Sequence, residues 1–180
     1  MNIYIMRHGT TVWNEKGIIQ GRSKNRLSQS GKQGVEQSAN KHKNTPIDII
    51  YCSPMMRTIQ TANIFNKCHN VKLIKDDRLM EIDEGDFTKC DMNLMTDNEI
   101  KACYARSGRY KMESYESVYK RIKNFVDDIK ANCKYENILV VTHNYHASMM
   151  EGILLGESMD FTDYNKLIRF ANAEVKKFTI

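Results

Sequence analysis

Arginine and histidine side chains follow three separate apolar runs of the sequence, close to the point where each run ends: Arg7 and His8, then Arg57, then His143. Two guanidinium groups hold a phosphate through paired, charge-assisted hydrogen bonds. A neutral imidazole attacks phosphorus and carries the phosphoryl group covalently. A second imidazole donates to the equatorial oxygens as the group transfers. Together these residue types predict phosphoryl transfer through a phosphohistidine.

The leaving oxygen of such a reaction needs a proton, so we expect a carboxylic acid near the two histidines. Its pKa should be raised toward neutrality, because a proton donor works best when its pKa lies near the working pH. This chemistry requires no metal ion, and we predict no cofactor. His143 and His146 are spaced as a metal pair on one helix face, but no third ligand follows at a suitable spacing.

The three apolar runs cover residues 3–6, 47–52 and 138–141 and are typical of buried strands. Ligands of open α/β sheets bind beyond the carboxyl ends of the strands, so adjacent strands would bring the arginines and histidines together. Strand and helix patterns alternate along the chain, which predicts an α/β fold: a three-layer α/β/α sandwich with a mainly parallel central sheet.

Helical patterns separate the strands, and the remaining apolar segments are short. Ser53 and Pro54 are typical of a helix N-cap and first helical residue. The complete set of further elements is helices over 28–43, 54–67, 96–106, 114–133 and 145–155, a strand over 71–74, and two closing strands over 167–171 and 174–179. We expect one domain over residues 1–180.

Composition excludes several classes of protein. The chain has 180 residues, of which 41% are hydrophobic, and a net charge of +5, typical of a globular protein with an anionic partner. No apolar run approaches the length of a membrane span, and no secretory signal begins the chain. Five cysteines form no C-x-x-C pair, which favours reduced thiols in the cytoplasm. The basic residues are scattered, so we predict no nucleic-acid or membrane partner.

The sequence resembles the histidine phosphatase superfamily, the phosphoglycerate mutase-like family, along nearly its whole length. Arg7, His8 and Gly9 match the signature after the first strand. The further matching blocks, in order, cover 11–14, 20–22, 27–31, 53–62, 79–85, 113–121 and 140–143. This resemblance implies the same three-layer sandwich that the strand pattern predicts.

The resemblance also implies roles for individual residues. His8 is the expected nucleophile, and Glu81 is the acid that protonates the leaving oxygen and later activates water. Residues expected to bind the transferred phosphoryl group or the rest of the substrate are Arg7, Arg57, His143, Asn14, Gly21, Arg22, Thr142 and Asn144. Departures from the family pattern are Thr10, Glu84, Lys89, Met112 and Asn144.

We interpret residues 89–112 as a short lid over the site, containing Tyr104, Arg106, Arg109, Tyr110 and Lys111. The glycolytic mutases of the family carry longer insertions at this point and a longer tail, which shield the phosphoenzyme from water. A compact lid therefore favours hydrolysis of a small phosphomonoester, and its basic residues suggest a further anionic group on the substrate. Two alternatives stay open: a phosphoglycerate mutase, and a weakly catalytic protein that binds a phosphorylated ligand. The oligomeric state is not predicted.

Overall fold

The computed structural model describes residues 1–106, 110–161 and 164–180. Five strands form one sheet in the order β3-β2-β4-β1-β5. Strands β1 to β4 run parallel, and β5 pairs antiparallel with β1. The strands are β1 (Asn2–Arg7), β2 (Ile49–Cys52), β3 (Lys72–Lys75), β4 (Asn137–Thr142) and β5 (Val175–Thr179).

Helices cover both faces of this sheet. The helices are α1 (Val12–Glu15), α2 (Gln29–Lys41), α3 (Met56–Asn66), α4 (Asp97–Ala105), α5 (Tyr115–Asn132) and α6 (Asn144–Leu155). Short 3₁₀ turns occur at Asp77–Leu79, Gly85–Phe87, Met92–Leu94 and Tyr164–Leu167. The prediction of a mixed α/β fold with a mainly parallel sheet is confirmed.

The alternation of side chains along β1 explains why the central strands are apolar throughout. Ile3 and Ile5 pack on the side of α5 and α6, whereas Tyr4 and Met6 pack on the side of α2 and α3. A parallel strand with helices on both faces has no solvated face, so its sequence is a continuous apolar run rather than an alternating one.

Capping residues fix several helix ends where the sequence predicts them. Thr96 and Glu99 form a capping box at the start of α4, and the Ser114 side chain caps α5. Gly156 ends α6 in the left-handed conformation, which costs glycine little. The Ser53 cap is wrong, because α3 begins later, after Met55, whose side chain makes no cap bond.

The predicted closing pair of strands is also wrong in part. Val175–Thr179 is a strand, but residues 167–171 are not, and β5 pairs with β1 instead. Leu167 and Phe170 are buried because they pack into the core beside α6, not because they lie in a sheet. None of the described helices combines the length and the apolar character that a membrane-spanning segment requires.

Candidate active site

The carboxyl ends of β1, β2 and β4 meet at one edge of the sheet. Arg7 lies opposite Thr142 in the β1–β4 pairing, and Cys52 lies opposite Val141 in the β2–β4 pairing. The residues that follow these strands must therefore converge, as the sequence predicts. The rings of His8 and His143 lie 5.4 Å apart between centroids.

His8 presents one specific ring nitrogen for reaction. Its Nδ1 lies 2.7 Å from the carbonyl oxygen of Gly9, which can only accept a hydrogen bond. Nδ1 therefore carries the proton, and the lone pair is on Nε2. Burial, together with the nearby side chains of Arg57, His143 and Arg7, holds the pKa of His8 well below its ordinary value, because a proton on His8 would be repelled by the guanidinium charges and by any proton on His143. His8 is consequently a neutral imidazole at pH 7.

Hydrogen bonds from three parts of the chain hold the backbone around His8. Its amide donates to the carbonyl of Thr142 at 3.0 Å, and the side chain of Asn172 donates to the carbonyl of His8 at 2.9 Å. The amide of Gly9 donates to the hydroxyl of Thr61 at 3.0 Å. The nucleophile is therefore attached to β4, to α3 and to the segment before β5.

Arg57 is fully buried near the start of α3, where the helix dipole also favours an anion. Its Nη2 donates to the carbonyl of Gly21 at 2.9 Å and to Oε2 of Glu81 at 3.2 Å. Gly21 has a φ of +45°, a conformation that glycine adopts readily, and this directs its carbonyl inward. The Nε of Arg57 is buried and has no hydrogen-bond partner among the residues that the structure describes.

Arg7 lies at the end of β1, where its Nη1 donates to the carbonyl of Phe170 at 2.7 Å. Its Nε, like that of Arg57, is buried without a partner. Most buried donors in proteins are hydrogen-bonded, and an unpaired cationic donor is costly. Two such donors from neighbouring guanidiniums are the arrangement that an oxyanion would satisfy.

His143 is oriented by Ser53, whose Oγ lies 2.8 Å from His143 Nε2. Ser53 therefore positions a histidine of the site, and this role replaces the helix cap that its sequence context suggests. Burial lowers the pKa of His143 to about 4, although the carboxylate of Glu81 opposes this effect. The His143 Nδ1 lies 3.2 Å from Glu81 Oε2 but makes no hydrogen bond.

Glu81 lies among positive and imidazole groups. Burial raises its pKa, but His143, Arg57 and His146 outweigh burial and hold the pKa well below its ordinary value. The expectation of a raised pKa is therefore wrong for the ligand-free site. The reason is that His143 and Arg57 both lie against the carboxylate when no phosphate is present.

His146 is a residue whose place in the site the sequence patterns do not predict. It is fully buried one turn into α6, and its Nδ1 lies 3.5 Å from Oε1 of Glu81. Neither ring nitrogen has a hydrogen-bond partner among the described residues. His143 and His146 thus lie next to the two different oxygens of the Glu81 carboxylate. Their separation of three residues, which would suit a pair of metal ligands, places one ring on each side of Glu81.

A cavity of about 220 Å³ opens over these groups. The predicted site residues that line it are Arg7, His8, Asn14, Gly21, Glu81 and Asn144. Asn14 accepts from the amide of Thr11 through Oδ1, which leaves its amide nitrogen for a ligand. Asn144 accepts from the amide of Phe170 through Oδ1 in the same way.

Four predicted ligands do not line this cavity: Arg57 and His143, described above, and Arg22 and Thr142. Arg22 donates from Nε to the carbonyl of Glu81 at 3.0 Å and from Nη2 to Glu113 at 3.0 Å. Thr142 is buried and donates to the carbonyl of Leu79 at 3.3 Å. Both residues hold the segment that carries Glu81.

The lid segment places its basic residues differently from the expectation. Arg106 is buried and pairs with Glu84 at 2.7 Å, so it is not directed at a substrate anion. Tyr104 lines the catalytic cavity, and Lys111 is exposed. Arg109 lies outside the described residues.

Basic residues do gather elsewhere, contrary to the expectation that they are scattered. Four cations and an indole line a groove of about 630 Å³ beside the catalytic cavity: Arg22, Lys24, Arg26, Lys89 and Trp13. The groove is formed partly by the loop that carries Gly21, so its positive charge lies close to the catalytic cavity.

One nitrogen each of His8 and His143 and one oxygen of Glu81 lie within 4.8 Å of one another, a spacing that also suits a metal ion. The surrounding charge argues against one. Arg57 already occupies Glu81 Oε2, and the charges of Arg57 and Arg7 reach His8. A site with two guanidiniums attracts an anion rather than a cation.

Comparison with known proteins supports this chemistry. The model of the histidine phosphatase superfamily (branch 1) matches residues 3–180. Phosphoserine phosphatase 1 of Hydrogenobacter thermophilus is 30% identical over 167 residues, which cover 87% of this chain and 77% of that protein.

Solved structures share the fold at lower identity. The α-ribazole phosphatase of Shigella flexneri has a TM-score of 0.84 at 20% identity, covering 98% of this chain and 89% of that one. The phosphoglycerate mutase of Bacillus anthracis has a TM-score of 0.78 at 23% identity, covering 98% and 86%.

The fold and the site define an α/β protein that places two arginines beside a neutral, buried histidine. The family match is more particular: this chain belongs to the histidine phosphatase superfamily. The resemblance of its sequence motifs to that family is confirmed.

Proposed function

We propose that this protein hydrolyses the phosphomonoester of a small metabolite through a phosphohistidine on His8, without a metal cofactor. One observation carries the proposal: Arg7 and Arg57 each keep a buried, unpaired Nε in a site whose nucleophile is already neutral. A bound phosphoryl group supplies the missing acceptors, and its phosphorus then lies near a reactive imidazole.

In the first step, the Nε2 lone pair of His8 forms a bond to phosphorus, and the bond from phosphorus to the ester oxygen breaks. Arg7, Arg57 and His143 stabilise the charge on the equatorial oxygens. The leaving oxygen takes a proton from Glu81.

Glu81 becomes a usable acid only when substrate is present. A phosphate dianion adds a like charge near the carboxylate and competes for Arg57, and both effects raise the pKa of Glu81 above its ligand-free value. In the second step Glu81, now a carboxylate, takes a proton from water as the water oxygen attacks phosphorus, and the bond from phosphorus to Nε2 of His8 breaks with its electron pair returning to Nε2. Inorganic phosphate leaves, and His8 returns to its neutral form.

A phosphatase is favoured over the other two functions. We propose that residues 1–180 act as one domain and that 89–112 form its lid, too short to exclude water from the phosphoenzyme. A phosphoglycerate mutase remains the second candidate, because Probable phosphoglycerate mutase GpmB of Enterobacter sp. is 36% identical over 99 residues. A weakly catalytic binding protein is the third. We also propose a cytoplasmic location and no nucleic-acid partner.

The substrate is the finer part of the proposal. The phosphoserine phosphatase of Hydrogenobacter makes O-phosphoserine the first metabolite to test. The mutase candidate makes 3-phosphoglycerate the second, measured for both hydrolysis and conversion to 2-phosphoglycerate.

The decisive experiment compares wild type with His8→Ala on p-nitrophenyl phosphate, measuring phosphate release and acid-labile phosphoenzyme. We expect both signals from wild type and neither from His8→Ala. His69→Ala is the control, because His69 is a half-buried imidazole that stacks on Phe65 beyond the carboxyl end of α3, whereas Arg57 lies at the start of that helix. Release that persists in His8→Ala would remove the proposed nucleophile. Mutase turnover well above hydrolysis would favour the second function.

A further inference from the structure

The catalytic cavity contains a second carboxylate that the mechanism above does not use. Glu84 lines the same cavity as His8 and Glu81, and it is only 8% exposed. Its Oε2 accepts from Arg106 Nη2 at 2.7 Å.

Arg106 lies behind Glu84, away from the cavity. Its Nη1 donates to the carbonyls of Asp83 and Glu113, each at 3.2 Å, and its guanidinium stacks over the ring of Tyr115 at 4.8 Å. Arg106 is not part of the cavity lining. Glu84 therefore stands between this cation and the space where substrate binds.

The position of Glu84 is fixed on its other side as well. A Cβ placed on Gly21 would lie 3.2 Å from Glu84 Cβ and 3.3 Å from Glu84 Cγ, so the backbone of the phosphate-site loop packs against this side chain. The carboxylate is consequently held next to the phosphoryl subsite rather than free to swing away.

The rest of the cavity wall offers no second cation to a substrate anion. Arg7 is the only cationic side chain among the described lining residues, and the proposed mechanism uses it for the phosphoryl group. The other lining side chains that the mechanism does not use are neutral and include both polar and apolar groups: Asn14, Gln20, Tyr104, Asn144, Tyr145, Ile18, Ile19, Met92, Cys103 and Ile168. Apart from the groups that the mechanism uses, Glu84 is therefore the one charged side chain among the described lining residues.

We propose that Glu84 binds an ammonium group on the alcohol part of the substrate, so that the substrate class is the short aminoalkyl phosphates. This inference deepens the proposed function and rests on it. The cavity of about 220 Å³ equals roughly seven water volumes, which suits a phosphoryl group with a short chain. The electrostatic attraction between a cation and a mostly buried carboxylate is stronger than the same attraction in water, because the local dielectric constant is lower.

The electrostatics of Glu84 fit this role. Burial raises its pKa to about 7 even though Arg106 opposes that rise, because Glu81 and Asp83 add negative charge nearby. The carboxylate is thus short of positive charge, and an arriving ammonium supplies it. A substrate carboxylate against Glu84 would meet like charge from Glu84 and Glu81, which counts against 3-phosphoglycerate. O-Phosphoserine carries both groups, so it fits this site with its ammonium on Glu84 and its carboxylate directed away.

The test uses two esters of the same shape, O-phosphoethanolamine and propyl phosphate, in which a methyl group replaces the ammonium. At pH 8 we expect wild type to favour the amine by about tenfold or more in kcat/KM, the effect of one charge pair. Glu84→Gln should remove most of that preference, mainly through KM. Hydrolysis of p-nitrophenyl phosphate, which has no ammonium, measures any general loss of turnover in this variant, and the ratio of the two alkyl esters is read after that loss has been divided out.

Two further variants keep the outcome clear. Glu84→Gln alone leaves Arg106 buried without its carboxylate partner, which can destabilise the fold. The double variant Glu84→Gln with Arg106→Met removes both charges of the pair and avoids that cost. Glu36→Gln, an exposed change on α2, is the matched control and should keep the wild-type preference.

An unchanged preference in Glu84→Gln would overturn the inference. Equal slowing of both alkyl esters with the aryl ester spared would overturn it too, since that pattern marks a proton donor. In either case wild type would still hydrolyse p-nitrophenyl phosphate through His8. Loss of that hydrolysis would instead contradict the proposed function.

Discussion

At the scale of single residues, the bond from His8 to the Gly9 carbonyl decides which nitrogen can react. Sequence motifs identify His8 and Glu81, but they do not give a protonation state, because that depends on burial and on the charges nearby. The pKa of Glu81 is lowered rather than raised for this reason. The pKa of Glu81 therefore depends on whether a phosphate is bound, and the sequence motif does not determine it.

Glu81→Gln should separate leaving groups by their need for a proton. We expect hydrolysis of an alkyl phosphate to fall by about 10²–10⁴, the usual contribution of a general acid. p-Nitrophenyl phosphate, whose leaving group needs little protonation, should fall by less than about tenfold in the phosphorylation step. Phosphoenzyme formation in single-turnover experiments measures this step. Equal slowing of both esters would contradict proton donation by Glu81.

Sequence patterns predicted the convergence of Arg7, His8, Arg57 and His143, because each follows a strand that the sheet makes adjacent. They did not predict the position of His146, which belongs to no sequence motif. Its buried ring lies against Glu81, with Nδ1 3.5 Å from Oε1. Arg22 matches a family block, yet its contacts turn it toward Glu113 and the backbone of Glu81. A motif gives the position of a residue in the chain, but the direction of a long side chain depends on its partners.

At the scale of elements, α2 contains two glycines with opposite surroundings. A Cβ on Gly31 would lie 1.9 Å from the carbonyl oxygen of Thr10, whereas a Cβ on Gly34 would meet nothing within 4 Å. Gly31 thus lets α2 approach the loop that follows His8. Gly34 contributes only backbone freedom, which weakens the helix.

Alanine substitutions at these two glycines should therefore act in opposite directions. Gly31→Ala should destabilise the protein by about 1–3 kcal/mol through overpacking and should lower activity, since Thr10 lies two residues from His8. Gly34→Ala should stabilise it by about 0.5–1 kcal/mol with activity unchanged. Urea denaturation followed by circular dichroism gives both values. Similar changes in the two variants would show that the approach to Thr10 has no role.

The central strands were predictable because their apolar sequences indicate burial on both faces. Segments whose structure depends on which other element they pack against were not predictable from the sequence. β1, β2 and β4 are apolar throughout because helices cover both of their faces. Residues 167–171 show a similar apolar content, but Leu167 and Phe170 bury themselves against α6 without pairing in the sheet. Burial alone does not distinguish a strand from a packed loop, so the closing pair was predicted wrongly.

At the scale of the whole molecule, three neutral histidines lie fully buried: His8, His143 and His146. The pKa of His143 is lowered to about 4, and the pKa values of His8 and His146 are lowered well below their ordinary value. Below pH 6.5 the unfolded chain therefore binds protons that the native protein does not. The free energy of unfolding falls as pH decreases through this window.

Glu84 acts in the opposite sense, because its pKa rises to about 7 in the native protein and its contribution to stability is lost as pH increases. With three histidines against one carboxylate, we expect a net loss of roughly 3 kcal/mol per pH unit between about pH 6.5 and 5. Urea denaturation at several pH values measures this slope. His146→Leu should reduce it by about 1.4 kcal/mol per pH unit. A flat profile would contradict the neutral histidines.

The cationic groove beside the cavity predicts a salt effect on substrate capture. Screening shortens from about 30 Å at 0.01 M salt to about 10 Å at 0.1 M, so kcat/KM should fall several-fold over that range. Lys24→Glu with Arg26→Glu should lower the low-salt value and flatten the dependence. Lys120→Glu with Lys130→Glu on α5 makes the same change in net charge away from the groove, and the dependence should persist there.

The strand order affects when the nascent chain can fold. Of the five strands, β1 is synthesised first, whereas its two neighbours in the sheet, β4 and β5, are synthesised last. Asn2 in β1, for example, hydrogen-bonds to Asn137, which lies 135 residues further along the chain. Pairings of such high contact order form slowly. A nascent chain therefore carries His8 long before the partner strands of β1 exist, and catalytic competence should arise only after β4 and β5 have been made.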